Sequence, residues 1–320
     1  MIHIIDFDHG CGGLTAGMER YGEFLVIDNV YLNKQNELCY NNTHINPFWT
    51  EAHVSEEDYD DLNIKVACFS PNTGTNSKKG INLSELKTQM RWINTFHPEI
   101  VIFSIQPMVI PYLHSTEKND LEPYTADGWP FFDKLLEFFH SNGYSSVQQF
   151  TINYLDYNIP INKKKSFYIA WNNNKPFQLY YPKFETRKKV MDVLSNIDIN
   201  DSWHSPIYKY SINCSKIRPG SRASSVQNID ITSGYIRLVA DRVAPNLYET
   251  FYLPSSKGPS IHPTEDRPLT IREGASINGL DIPFTWDINL SNRIVAKMII
   301  DSVSPIVGWY LGKSIFNLLT

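Results

Sequence analysis

The sequence predicts an α/β protein with a largely parallel sheet and a second, smaller domain, and three observations carry that prediction. Apolar HIIDF runs straight into a glycine-rich turn, the stretch from Asp6 to Gly17 reading DFDHGCGGLTAG. Strand-like and helix-like patterns then alternate through the first half of the chain. A basic insert interrupts an otherwise acidic sequence in the second half.

Taken in order, HIIDF reads as a short buried strand, and the glycines after it let the backbone turn tightly against a ligand or a packed neighbour. Leu14 to Tyr21 reads as a helix, Glu23 to Asp28 as a second strand, and Leu32 to Asn42 as a second helix. This strand, turn, helix, strand order is that of a Rossmann-like sheet. Glu51 to Asp61 is acidic, and Ser70 to Gly80 has the Ser, Asn, Gly and Lys content of a loop. Ser84 is placed to cap a helix running to about Phe96. Glu99 to Ile105 reads as a buried parallel strand, and Pro130 to Asn142 as a helix ended by Gly143. Val147 to Tyr154 and Ser166 to Trp171 read as two further strands, joined by a basic turn from Pro160 to Lys165.

Composition bounds the rest. A chain of 320 residues with 42% hydrophobic and 20% charged residues buries a substantial core. No apolar run reaches the ~20 residues of a membrane span; Asp301, Pro305 and Lys313 interrupt the most apolar stretch, Ile299 to Leu319. The start MIHIIDFDHG has neither a basic leader nor a cleavage site, so the expected location is the cytoplasm, with no membrane partner. Cys11, Cys39, Cys68 and Cys214 show no metal-ligand spacing and are expected to be thiols. The net charge of −5 is uneven: Asn172 to Asp230 holds nine Lys or Arg against five acids, leaving −9 for the remainder. Such an insert suits a module that touches phosphates on an otherwise soluble body.

Several segments carry a resemblance to a known family. DFDHGCGGLTAG is close to DLFSGCGGLS, and the strand VIFSI leads into Gln106-Pro107-Met108 where that family has Pro-Cys. Tyr154 to Ile169 (YLDYNIPINKKKSFYI) is similar to DYGVPQxRxR followed by a strand, with Lys163 and Lys165 as the surviving basic residues. Arg237 to Pro245 (RLVADRVAP) and His262 to Phe284 (HPTEDRPLTIREGASINGLDIPF) resemble the ninth motif, the latter being the most specific match in the chain. Ile299 to Pro305 stands where the closing motif reads IGNAVPP. The matches run in family order, and the sequence resembles a DNA cytosine-5 methyltransferase with degenerate catalytic motifs. The resemblance implies a Rossmann-like, S-adenosylmethionine-dependent methyltransferase fold. Residues 1–171 plus 285–320 would form the methyltransferase domain and 172–284 the smaller target-recognition domain.

The resemblance also implies where the chemistry would sit. Cytosine-5 methylation needs a thiolate that adds to C6 of a flipped base. Met108 occupies that nucleophile position after Pro107, and a thioether cannot do it; a flexible apolar filler is the plain reading of Met108. No cysteine in the chain follows a proline. No ENV segment occurs, and Glu122, its nearest substitute, reads as a solvated loop carboxylate. The expected cofactor-binding residues, read as vestigial, are Asp6, Gly10, Gly12, Gly13 and Asp28. Asp8 replaces the aromatic residue of FxGxG; helix spacing counted from Tyr40 puts the ribose acid near Tyr31, and Cys68 and Ser70 stand where an adenine-binding acid belongs. Ile300 and Asp301 replace Gly and Asn of the closing motif. No cofactor is expected, S-adenosylmethionine being the ligand if the pocket still functions.

The expected DNA-binding residues are Lys163, Lys165, Arg187, Lys188, Lys189, Lys216, Arg218 and Arg222, with solvated surface charge as the plain alternative for each. Tyr180, Tyr181, Trp203, Tyr208 and Tyr210 add aromatic density to the insert, for which core packing is the commoner role. The sequence therefore points to a catalytically inactive, DNA-binding or regulatory protein whose partners are double-stranded DNA and an active methyltransferase or nuclease subunit. A divergent active methyltransferase or other base-modifying enzyme is the alternative, and a structural assembly protein a third.

Overall fold

The computed structural model describes residues 1–8, 11–29, 37–44, 63–70, 83–105, 131–206, 217–221, 236–253, 259–280 and 284–320. Its contacts divide the chain into two compact units, the first formed by Met1–Ile152, Lys164–Tyr180 and Gly308–Thr320 and the second by Asn153–Lys163 and Tyr181–Val307. The sequence-based limits differ from these. The first unit reaches Tyr180 rather than residue 171, the segment 153–163 joins the second unit, and the later boundary falls at 307/308 inside a helix rather than at 284/285.

The first unit is built on a six-stranded sheet of order β2-β1-β3-β4-β7-β5. Strand β1 (Ile2–Asp8) pairs in parallel with β2 (Phe24–Asn29) and with β3 (Val66–Ser70), and β3 pairs in parallel with β4 (Ile100–Ile105). Strand β7 (Lys164–Trp171) is antiparallel to β4, with Ile100 opposite Trp171, and β5 (Ser146–Asn153) lies beyond it. The apolar run IVIFSI is buried at all six positions of β4, as expected of a strand covered on both faces. Phe7, Phe69 and Phe103 stack across three neighbouring strands, with ring centroids 4.5 and 4.9 Å apart. Trp92, Leu135, Phe139 and Tyr144 join the same core. Burial raises the Tyr144 and Tyr168 phenols, the latter to about 12, and the Tyr144 hydroxyl donates to Pro98 O at 2.8 Å.

Helix α1 (Gly13–Tyr21) follows β1 and is closed by Gly22 at φ +99°. Helices α2 (Glu37–Thr43), α3 (Leu83–Phe96) and α4 (Phe131–Ser141) follow in turn. Of the expected second helix, only Glu37 onward lies among the described residues, and Ser84 lies inside α3 rather than at its cap. Gly143 takes the expected left-handed conformation, φ +84°, after α4. On α1, Glu19 is buried and accepts from Val26 N and His44 Nδ1 at 2.8 and 2.7 Å, tying the helix to β2 and the end of α2.

Among its described residues the second unit has few long strands or helices. Its strands are β6 (Ile161–Asn162) parallel to β9 (Ala244–Pro245), and β8 (Ile236–Arg237) parallel to β10 (Pro259–Ile261). The expected basic turn from Pro160 to Lys165 thus contains β6 and the start of β7. Helix α5 (Val190–Leu194) is short, and α6 (Ile271–Ile277) is buried at all seven positions. A Cβ on Gly274 would meet the Phe251 ring at 2.1 Å, so that ring can lie only against glycine.

The closing helical segment is two helices, α7 (Asn292–Asp301) and α8 (Pro305–Leu319), broken at residues 302–304. Proline at the first position of α8 costs no hydrogen bond there. Within the first unit α8 lies directly on α1: a Cβ on Gly308 would meet Leu14 O at 2.1 Å, and one on Gly312 would meet Met18 Cα at 3.2 Å.

Candidate functional site

The glycine turn after β1 holds the first group of expected residues. Gly12 caps α1 in the left-handed conformation, φ 68° and ψ 21°, which glycine adopts without strain. Asp6 is buried and accepts from Thr15 Oγ1 at 2.5 Å, so its carboxylate fastens the strand to the first turn of α1. Gly13 begins that helix and is buried, and Asp28 is buried in β2 opposite Ile5. Gly10 and the side chain of Asp8 lie outside the described residues, as do Tyr31, Pro107, Met108 and Glu122. At the carboxyl ends of β3 and β4, Ser70 Oγ and Ser104 Oγ are 2.5 Å apart and hydrogen-bonded, while Cys68 is buried in the sheet.

Two expected DNA contacts are corrected by burial. Lys163 is 5% exposed and Lys165 4%, so neither side chain presents its charge to a phosphate. The Lys163 ammonium donates to Ile300 O at 2.8 Å, Asn278 Oδ1 at 3.1 Å and Ser302 O at 3.2 Å, and lies 5.1 Å from the Tyr154 ring centroid. Carbonyls at the end of α7 lack intrahelical donors and carry the negative end of the helix dipole, which a cation satisfies. The Tyr154 hydroxyl is 3.4 Å from Ser302 O and accepts from Ser304 N at 3.2 Å, while Ser304 Oγ donates to Gly279 O at 3.0 Å. Gly279 has φ +74°, and a Cβ there would meet Ser304 Oγ at 2.6 Å. Three segments distant in sequence (YLDYNIPINK, SINGL and IIDSVSP) thus close on one buried latch within the second unit. Asp301 of the last segment pairs with Lys297 one helical turn away.

A second buried network occupies HPTEDRPLTIRE. Glu273 accepts from Arg267 Nη1 and Nη2 at 2.8 and 2.7 Å and from Thr270 N at 2.8 Å, while Thr270 Oγ1 accepts from Glu273 N at 3.1 Å. The latter pair is a capping box at the start of α6. His262 Nδ1 accepts from Glu265 N at 3.1 Å, leaving the proton on Nε2, 3.6 Å from Glu273 Oε1. Burial holds the His262 imidazolium below its usual range against the pull of Glu273. The Arg267 hydrogen bond lowers Glu265, and the two carboxylates raise Arg267 despite its burial. Arg237 reaches Asp266 and the carbonyls of His262 and Glu265, and Arg272 donates to Asp201 Oδ2 at 2.7 Å and Phe284 O at 2.6 Å. Every one of these bonds joins parts of the second unit to each other, which is a folding role.

The remaining basic residues behave differently. Arg187, Lys188, Lys189 and Arg218 are exposed, and Lys216 and Arg222 lie outside the described residues. The aromatics split as well. Trp203 is buried and donates to Trp286 O at 3.1 Å, whereas Tyr180 and Tyr181 are exposed rather than in the core; Tyr208 and Tyr210 lie outside the described residues. Cys11, Cys39 and Cys68 are buried thiols. Among the described residues no cluster of His, Cys, Asp or Glu is arranged to hold a metal.

Sequence reasoning missed the latch and the Glu273 network as structures. Only the network left a signal in the sequence, the Thr270-x-x-Glu273 spacing of a capping box; the inward alternation of Ile161, Lys163 and Lys165 exists only in the folded chain.

Comparison with known proteins gives these features a setting. The profile of C-5 cytosine-specific DNA methylases matches residues 125–317. The chain is similar to the Type II methyltransferase M.PspPI of Psychrobacter sp. (strain TA137), at 22% identity over 99% of this chain and 79% of the relative. In structure it is similar to a prophage-encoded E. coli protein described as a DNA modification methyltransferase, with TM-score 0.69 and 18% identity over 100% and 99% of the two chains. It is also similar to the S. pombe Dnmt2 methyltransferase, with TM-score 0.65 and 14% identity over the whole of both chains. The fold is that of S-adenosylmethionine-dependent DNA methyltransferases.

Proposed function

From the premise that this chain belongs to the C-5 cytosine-specific DNA methylase family, we propose that it binds double-stranded DNA through its basic second unit without transferring a methyl group. The observation that carries this reading is methionine at position 108, directly after Pro107. A thioether has no proton to lose and cannot form the covalent bond to C6 on which the reaction depends. The cofactor side points the same way. Val66 to Ser70 contains no carboxylate for an adenine amine, and the Ser70 hydroxyl is engaged by Ser104. Both features support a sheet edge that does not bind S-adenosylmethionine. The exposed Arg187, Lys188 and Lys189 supply charge for phosphates, and the protein then acts as a DNA-binding subunit beside an active methyltransferase or nuclease.

The test is to incubate the full chain with methyl-labelled S-adenosylmethionine and duplex DNA while measuring binding by fluorescence anisotropy across a salt series. The expected result is no label in the DNA and an affinity that falls steeply with salt. Methyl transfer by the unaltered chain would overturn the inactive reading, and absence of duplex binding at low salt would overturn the DNA reading. Met108→Cys alone is expected to leave transfer undetectable, because no ENV segment accompanies it. Mass measurement of the complex purified from its native host tests the partner.

A further inference from the structure

The segment Tyr181–Lys189 belongs to neither buried network. We infer that it binds single-stranded nucleic acid, a ligand distinct from the duplex of the preceding reading. Tyr181 is 55% exposed and Phe184 40%, although folding favours covering such rings. Lys183, Arg187, Lys188 and Lys189 lie exposed beside them, against Glu185 as the one acid from 181 to 189.

The segment is non-helical, yet its backbone is held at the carboxyl end. Asn158, in the left-handed conformation at φ 58°, accepts from Lys188 N at 2.6 Å, and Arg242 O accepts from Val190 N at 2.9 Å. Tyr181 is backed by the buried Tyr157 ring, with centroids 6.1 Å apart. Exposed rings on a cationic, non-helical strip pinned at its carboxyl end form a stacking platform with adjacent phosphate contacts. Duplex DNA hides its base faces inside the stack and offers only edges in its grooves, so rings of this kind serve unpaired bases. Cations alone would serve either form equally.

The experiment compares a short fluorescein-labelled oligothymidine with a duplex of equal length, using the full chain and anisotropy at fixed salt. Tyr181→Ala with Phe184→Ala is expected to weaken single-strand binding about tenfold or more while changing duplex binding less than roughly twofold. Tyr181→Phe keeps the ring and is expected to keep single-strand binding. Arg187→Gln, Lys188→Gln and Lys189→Gln together are expected to weaken both ligands. An aromatic double variant that folds normally and binds the single strand as tightly as the unaltered chain overturns the inference and leaves the duplex reading intact. Equal losses on both ligands also overturn it, because the rings would then not distinguish unpaired bases. Loss of duplex binding alone in the basic variant, with the single strand held as before, would place the strand elsewhere and overturn it too.

Discussion

In the second unit, Glu273, Arg267, His262 and Lys163 are buried groups with several partners each. At the carboxyl edge of the sheet in the first unit, Ser70 and Ser104 bond to one another, and Asp6 is held by Thr15. Both regions coincide with motifs of one family; the second unit's motif is rich in buried charge, whereas the sheet edge holds Asp6 beside the uncharged Cys68, Ser70 and Ser104. Removing a member of the Glu273 or Lys163 network would strand a buried charge or carbonyl, so the fold itself demands those residues. Among the described residues, nothing in the packing of the sheet demands a carboxylate at position 68 or 70. Motif persistence here follows the requirements of folding, and a closely matched HPTEDRPLTIRE is consistent with any level of catalytic activity, including none.

The most severe way to break this comparison is to remove Glu273. Glu273→Ala leaves the Arg267 guanidinium, 14% exposed, without its bidentate partner and α6 without its capping box. The expected loss is about 3 kcal/mol, within the range for breaking a buried pair, read by urea unfolding. Replacing Arg267 with Met in the same chain is expected to recover part of it, since an apolar pair strands no charge. A loss near zero would show that the network is not what holds the second unit together.

Lys163→Met comes next. It leaves Ile300 O, Ser302 O and Asn278 Oδ1 without the ammonium, at an expected cost of about 2 kcal/mol. The same variant sharpens the functional side of the comparison, because a buried latch lysine contributes no released counterion. The salt dependence of DNA binding is expected to be unchanged in the folded Lys163→Met protein. A shallower slope would return Lys163 to the phosphate contacts that its sequence setting suggested.

That setting shows why the sheet was legible and the latch was not. Strand β4 declares itself through an apolar run interrupted only by Ser104, and Gly143 marks a helix end by a conformation that glycine favours. Lys163 sits in the run Lys163-Lys164-Lys165 behind a proline, which composition reads as an exposed basic turn. Only the inward face shared with Ile161, and carbonyls more than one hundred residues away at Ile300 and Ser302, explain its burial. Long-range acceptors leave no trace in local pattern. The capping box from Thr270 to Glu273 was readable, but Arg267 and His262 as its further partners depend on how residues 262–273 fold back on themselves. At the candidate site, Cys68, Ser70 and Met108 were readable directly, because they are identities rather than contacts.

A smaller effect comes from acidification. The folded His262 pKa lies below its ordinary 6.5, with burial as the main cause. Between those two values the unfolded chain binds a proton that the folded chain does not, so stability rises with pH and falls as pH drops below about 6.5. Glu265, lowered by Arg267, adds a loss in the same direction at more acidic pH. Thermal midpoints measured from pH 7.5 down to 5 are expected to decline, and His262→Asn is expected to flatten the upper part of that decline while keeping an acceptor for Glu265 N. An unchanged profile would mean that His262 titrates alike in both states.

The smallest effect on stability is expected from the exposed cluster, where the contrast with Lys163 is sharpest. Arg187, Lys188 and Lys189 project from the segment before α5; Lys188 and Lys189 engage neighbours through backbone N–H groups, bonded to Asn158 and Asp192. Neutralising all three to Gln removes no buried partner, so unfolding free energy should stay within about 0.5 kcal/mol. Each cation that neutralises a phosphate contributes about 0.9 to the slope of log affinity against log salt, so the triple variant is expected to flatten that slope by between about 1 and 3. Basic residues at the two places would then have opposite signatures: stability without salt dependence at position 163, and salt dependence without stability at 187–189. If the triple variant instead unfolds and leaves the slope unchanged, the division between groups that hold the second unit and groups that hold DNA fails at its plainest point.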